Sequence, residues 1–138
     1  MRWAFVFLAG ALAGIAWIAL RRNFEIVRIN GPSMAPNYLD GDRVLAARYR
    51  GGPLRPGQVV ILDGPRPTVD RPGTHGRLVK RIAAVAGEKA PEGVPGDIVP
   101  PQHIAVLGDN QSQSVDSRQL GFLSTDLVHA TVIRKLSR

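Results

Sequence analysis

The sequence predicts a mainly β domain, a sandwich or barrel of short antiparallel strands, carried behind one N-terminal transmembrane helix. Three observations lead there. An uninterrupted apolar stretch opens the chain. Beyond it, apolar residues come only in short runs. Glycine and proline punctuate those runs, as they do in all-β domains.

The apolar stretch runs from Trp3 to Leu20 without a charge. Eighteen residues at about 1.5 Å each nearly cross a hydrocarbon core of about 30 Å. Trp3 and Trp17 stand near its ends, where indole rings favour the bilayer interface. No small-x-small cleavage pattern separates the run from Arg21 and Arg22, so a retained anchor is expected rather than a cleaved leader. The expected organisation is an anchor over 1–22 and a β domain over 23–138.

Candidate strands follow at Phe24–Ile29, Arg43–Ala47, Gln58–Leu62, Arg77–Ala86, His103–Leu107 and Leu127–Leu136. Turn signals such as Asp40-Gly41, Gly51-Gly52-Pro53, Pro56-Gly57 and Pro100-Pro101 lie between them. Residues Gly64–Gly76 and Gly87–Gln102 are expected to be surface loops. No helical period of any length occurs after the anchor.

Composition removes several function classes. The chain has no cysteine, which excludes disulfides and thiolate metal sites. Its histidines, His75, His103 and His129, have no ligand spacing, and neither a metal nor another cofactor is expected. Net charge is +7, and only Lys80, Lys89 and Lys135 of the 18 cations are lysines. No nucleic-acid-binding signature accompanies that charge, so no nucleic-acid partner is expected. Arg21, Arg22, Arg28, Arg43, Arg48, Arg50 and Arg55 cluster soon after the apolar run, a placement suited to anionic lipid headgroups. The lipid bilayer is the expected partner.

Three motifs carry chemistry. Gly31-Pro32-Ser33-Met34-Ala35-Pro36 sets a serine between two prolines, which limit backbone freedom and present the hydroxyl in one geometry. Leu39-Asp40-Gly41-Asp42 follows. Second, Arg77-Leu78-Val79-Lys80-Arg81-Ile82 reads as a strand. Alternation puts Leu78, Lys80 and Ile82 on one face and Val79 and Arg81 on the other, so Lys80 falls among apolar neighbours. Arginine could not serve there as a base, because its pKa is too high. Third, Leu107-Gly108-Asp109-Asn110 and Ser114-Val115-Asp116-Ser117-Arg118 crowd hydroxyls, carboxylates and an arginine into a short loop. Each motif has a plainer reading: a turn serine, a lysine with its head in water, a polar surface loop.

In this order, behind an anchor, the motifs resemble those of type I signal peptidases, membrane-bound serine proteases with a Ser/Lys dyad. The resemblance spans nearly everything after Phe24. It implies Ser33 as nucleophile, Lys80 as general base, Ser114 as the hydroxyl that orients the lysine, and Asp109, Asn110, Asp116 and Arg118 as bracing residues. It implies substrates that are the signal or leader peptides of exported preproteins, cut after a small-x-small motif. Ile29, Asn30, Gly31, Met34, Tyr38, Leu78 and Val79 match the lining of the first pocket, and Val27, Ile29 and Val79 that of the second. Gly31 stands where some relatives carry a serine oxyanion donor, which leaves backbone N–H groups for that task. Larger relatives insert a second β domain where only Gly87–Gln102 is found here, as in small actinobacterial and organellar members.

A lysine base must be neutral, so its environment has to oppose the ammonium. A carboxylate touching Lys80 would do the reverse. Asp109 and Asp116 are therefore expected to be occupied by Arg118 or by backbone donors. Topology is pulled two ways. The arginines after the span favour a cytoplasmic domain by charge, whereas the resemblance implies a single-pass protein of the plasma membrane with its domain on the extracytoplasmic side. Other readings are a specialised maturation protease, such as one acting on the precursor of nickel superoxide dismutase, a self-cleaving Ser/Lys regulator, and a non-catalytic peptide-binding module. Oligomeric state is open.

Overall fold

A computed structural model describes residues 2–67 and 75–137. The apolar run forms helix α1, Arg2–Asn23, about 33 Å long at the usual rise. Its segment Val6–Asn23 has a mean hydropathy of 1.2 and none of its residues is buried in the protein, as suits a helix that could span a membrane. Arg21 lies over the Trp17 ring, 5.0 Å from its centroid. Arg50 donates to the Arg22 carbonyl at 3.3 Å, a cation at the electronegative end of the helix.

The strands are β1 (Phe24–Arg28), β2 (Arg43–Arg48), β3 (Val59–Pro67), β4 (His75–Val85), β5 (His103–Leu107), β6 (Leu123–Ser124) and β7 (Val128–Ser137). They form one sheet in the order β1-β2-β7-β3-β4-β5-β6, with every neighbouring pair antiparallel. The mainly β expectation is thus met. Four reversals separate β1 from β4, so these two strands run in the same direction. The sheet curls, and a Glu25–Arg77 contact brings β1 to β4 although they share no ladder.

Apolar side chains fill both faces. Val60, Leu62, Ile82, Ile104 and Val106 make the main core, with Leu78 packed against it. Ala46, Ile61 and Ala130 form a second core inside the curl, joined by Val27, Val79 and Val132. The two alanines are small enough to let the strands close around Ile61.

Two loop expectations need correction. Gly64–Gly76 is not wholly loop, because β3 continues to Pro67 and β4 begins at His75; residues 68–74 lie outside the described residues. Gly64 and Gly76 face each other across the two strands. A Cβ on Gly64 would collide with the Gly76 carbonyl, so glycine here permits close strand approach. Gly87–Gln102 is not purely surface either. Val94 and Val99 are buried against Ala84 and Ala105, and Lys89 bridges to Ile98. A one-turn helix α2, Ser117–Leu120, and strand β6 are too short to leave a periodic signal.

Candidate active site

The Ser33 turn lies in the loop that joins β1 to β2. Ile29 N–H donates to the Asp42 carbonyl at 2.8 Å and Gly41 N–H to the Ile29 carbonyl at 2.9 Å, closing the loop's base. Buried Asp42 stiffens it, accepting from Leu39 N–H at 2.7 Å and pairing with Lys135 at 2.5 Å. Gly31 has φ +87, a conformation that strains other L-residues, and its N–H donates to Asp40 Oδ1 at 2.8 Å. Among the described residues the Ser33 N–H meets no acceptor, so it remains available to a ligand.

The Gly108-Asp109-Asn110 segment grips this turn. Asn110 N–H donates to the Ser33 carbonyl at 2.9 Å, and Asn110 Nδ2 to the Pro32 carbonyl at 3.2 Å. Gly108 is buried where a Cβ would come within 2.7 Å of the Ser33 carbonyl and collide with the Ser114 side chain. Only glycine lets Ser33 and Ser114 approach from two sides.

Lys80 sits on β4 opposite Val60, with Leu78 and Ile82 on the same face, and is 3% exposed. Burial pushes its pKa below the ordinary lysine value. Asp116 works to raise it and Arg118 to lower it further. Asp116, buried completely, is the hub. It accepts from Gly108 N–H and Ser114 Oγ at 2.8 Å each, from Arg118 Nε and a terminal guanidinium nitrogen at 2.9 Å each, and from Arg118 N–H at 3.2 Å. Burial alone would raise its carboxyl pKa, but Arg118, Gly108 and Ser114 hold it down to about 2.

Asp109 corrects one expectation. Its partner is not Arg118 but Arg81, which donates through two nitrogens at 2.8 and 2.7 Å, while Asn37 adds a third bond at 2.8 Å. Those donors keep the Asp109 carboxyl below its usual range. Arg81 also reaches the Gly57 carbonyl at 2.9 Å. The reason is strand alternation: Arg81 faces away from Lys80, toward the turn that carries Ser33. Sequence reading missed Asn37 and Arg81 as site residues. The available signal was a charged residue adjoining the lysine on an otherwise apolar strand.

Among the pocket candidates, Val27 and Val79 both pack against the inner core, and Ile29 and Met34 are buried at the base of the Ser33 turn. Tyr38 is half-buried, its N–H bonded to the Met34 carbonyl at 2.9 Å, and Asn30 is exposed. Leu78 is not brought to Val27 and Val79, because it packs on the main core across the strand.

A family model described as signal peptidase, peptidase S26, matches residues 2–91 and 89–136. The chain belongs to the S26 signal peptidase family. It is similar to mitochondrial inner membrane protease subunit 1 of Mus musculus, 28% identical over 120 residues, 80% of this chain and 68% of that one. It is 36% identical over 115 residues to mitochondrial inner membrane protease subunit 2 of Schizosaccharomyces pombe, 76% of this chain and 60% of the relative. A third S26-like relative is the mitochondrial ATP-independent inner membrane protease subunit 1a of Arabidopsis thaliana, 29% identical over 119 residues, 78% and 67% of the two chains. Membership implies peptidase activity and association with a membrane.

Proposed function

We propose that the chain is a membrane-anchored serine endopeptidase that removes signal or leader peptides after a small-x-small motif, with Ser33 as nucleophile and Lys80 as general base. The observation that carries the reading is a buried lysine whose pKa is lowered, beside a carboxylate whose hydrogen-bonding capacity is already taken by other donors. Lys80 takes the Ser33 proton as Oγ bonds to the scissile carbonyl carbon. The Ser33 N–H faces the developing oxyanion, and Gly31 supplies no side chain there. Lys80 then hands the proton to the leaving amine as the C–N bond breaks. A water, deprotonated in turn by Lys80, opens the acyl-enzyme ester and restores Ser33. Ser114 has committed its proton to Asp116, so its oxygen is left to accept from Lys80 and orient the amine.

The substrate lies extended between β1 and β4, a β-augmentation mode. Side chains one and three residues before the cut point toward Ile29 and Met34 and then toward Val27 and Val79. We place the domain on the extracytoplasmic side of the plasma membrane. The test is site mapping of a preprotein bearing Ala-x-Ala. Ser33→Ala and Lys80→Ala should each lower processing by about a thousandfold or more. Undiminished cleavage by either variant overturns the assignment.

A further inference from the structure

Beyond Val27 and Val79, toward the membrane end of the same cleft, the chain places a polar cluster that the catalytic scheme does not use. Glu25 precedes Val27 by two residues and Arg77 precedes Val79 by two, so alternation aims all four into the curl. Glu25 Oε1 lies 2.7 Å from His129 Nε2, yet the two are out of line for a hydrogen bond, and both atoms are buried. Arg77 and Arg48 each stand 3.9 Å from Glu25. Arg77 and His129 each stand 3.7 Å from Asp63. These contacts exceed hydrogen-bonding distance. The cluster therefore holds buried polar atoms with capacity to spare, which costs free energy until something fills it.

An extended peptide that puts residues −1 and −3 over this face also puts residue −5 there, since alternate side chains share a face. At about 3.3 Å per residue, position −5 falls level with Glu25 and Arg77. We propose that Glu25, with His129 and Arg77, forms a subsite for the side chain five residues before the cut, and that it takes a neutral hydrogen-bonding residue such as serine, asparagine or glutamine. The inference rests on the protease reading above. Charge selects the class: the carboxylates of Glu25 and Asp63 match the guanidiniums of Arg48 and Arg77 in number, so a charged side chain would unbalance the set. An apolar side chain would leave Glu25 and His129 unpaired and drier.

The test uses the Ser33→Ala chain in micelles and peptides that differ only at −5, carrying Gln, Leu or Glu. Binding is read by fluorescence anisotropy. The Gln peptide should bind about tenfold tighter than either other. Adding Glu25→Leu should bring Gln and Leu to within about twofold, while a change from Ala to Leu at −1 weakens binding equally in both backgrounds. Equal binding of the three peptides overturns the proposal, as does a preference that survives Glu25→Leu. The peptide comparison on the unaltered cluster decides the matter even where Glu25→Leu fails to fold. Cleavage by the Ser33 form is scored separately. A lost −5 preference with cleavage intact sinks the subsite alone; a kept preference without cleavage sinks the protease reading alone.

Discussion

Asp116 receives five hydrogen bonds between 2.8 and 3.2 Å, whereas Glu25 is surrounded by cations at 3.9 Å and by a histidine nitrogen it does not face squarely. The two carboxylates lie in different parts of the molecule, Asp116 bonded to Ser114 and Glu25 near the start of β1. If Lys80 is the base proposed above, the carboxylate near it must not attract the lysine strongly, because an ammonium cannot act as a base. Filling each of its lone pairs with donors from Arg118, Gly108 and Ser114 limits that pull. Around Glu25 no base has to stay neutral, and loose contacts leave room for a ligand. On the proposed readings, tightness follows chemical role: a saturated carboxylate where a proton would be moved, an unsaturated one where a side chain would be received.

The largest effect that could break this comparison is on stability. Asp116→Asn keeps the shape but presents an NH2 to groups that are themselves donors. It should cost about 3 kcal/mol in denaturant unfolding, since Arg118 loses its counter-charge in a largely buried setting. The pH dependence has a definite sign. The carboxyl pKa falls from its ordinary 3.8 to about 2 in the fold, so its stabilisation is present above the ordinary value and is lost as pH falls toward about 2. The parent should therefore lose stability across that interval, and Asp116→Asn should lose less. A variant as stable as the parent would mean that the dense bonding is incidental.

A smaller effect, opposite in sign, is expected at Lys80. Burial lowers its pKa, so the unfolded chain holds the proton more firmly than the folded one, and stability rises with pH between the folded value and 10.5. At neutral pH the lysine is a liability to the fold. Lys80→Met should raise stability by about 1 to 2 kcal/mol while abolishing turnover. The measurement is thermal unfolding of both forms at neutral pH. A destabilised Lys80→Met chain would show that the amine contributes bonds that outweigh its desolvation.

Much of this was legible in the sequence, and the limits have physical causes. Alternation along Arg77–Ile82 put Lys80 on the apolar face, and the structure buries it there beside Val60 and Ile82. The Gly-Asp-Asn and Ser114–Arg118 runs announced a dense polar loop, because short-range capping of the Arg118 N–H by the Asp116 carboxylate is a local event. Pairings between distant residues were not legible. Arg81 finds Asp109 and Asn37 finds Asp109 only because β4 and the Ser33 turn converge in space. Glycines were ambiguous for the same reason. Nothing local to Gly64 or Gly108 shows that each is required by what lies opposite it, a carbonyl in one case and two serines in the other. Glu25 and His129 lie far apart in the sequence, and only the curl of the sheet joins them.

The smallest expected effect sharpens the comparison most. Glu25→Gln removes a charge but keeps an acceptor and adds a donor. If Glu25 were a structural hub like Asp116, its loss would cost several kcal/mol. Its contacts with Arg48 and Arg77 are long, and those guanidiniums are nearly half exposed, so solvent screens them and the change should cost less than about 1 kcal/mol. Denaturation midpoints of the parent, Glu25→Gln and Asp116→Asn, compared side by side, read the contrast directly. A Glu25→Gln chain as damaged as Asp116→Asn would make both clusters structural.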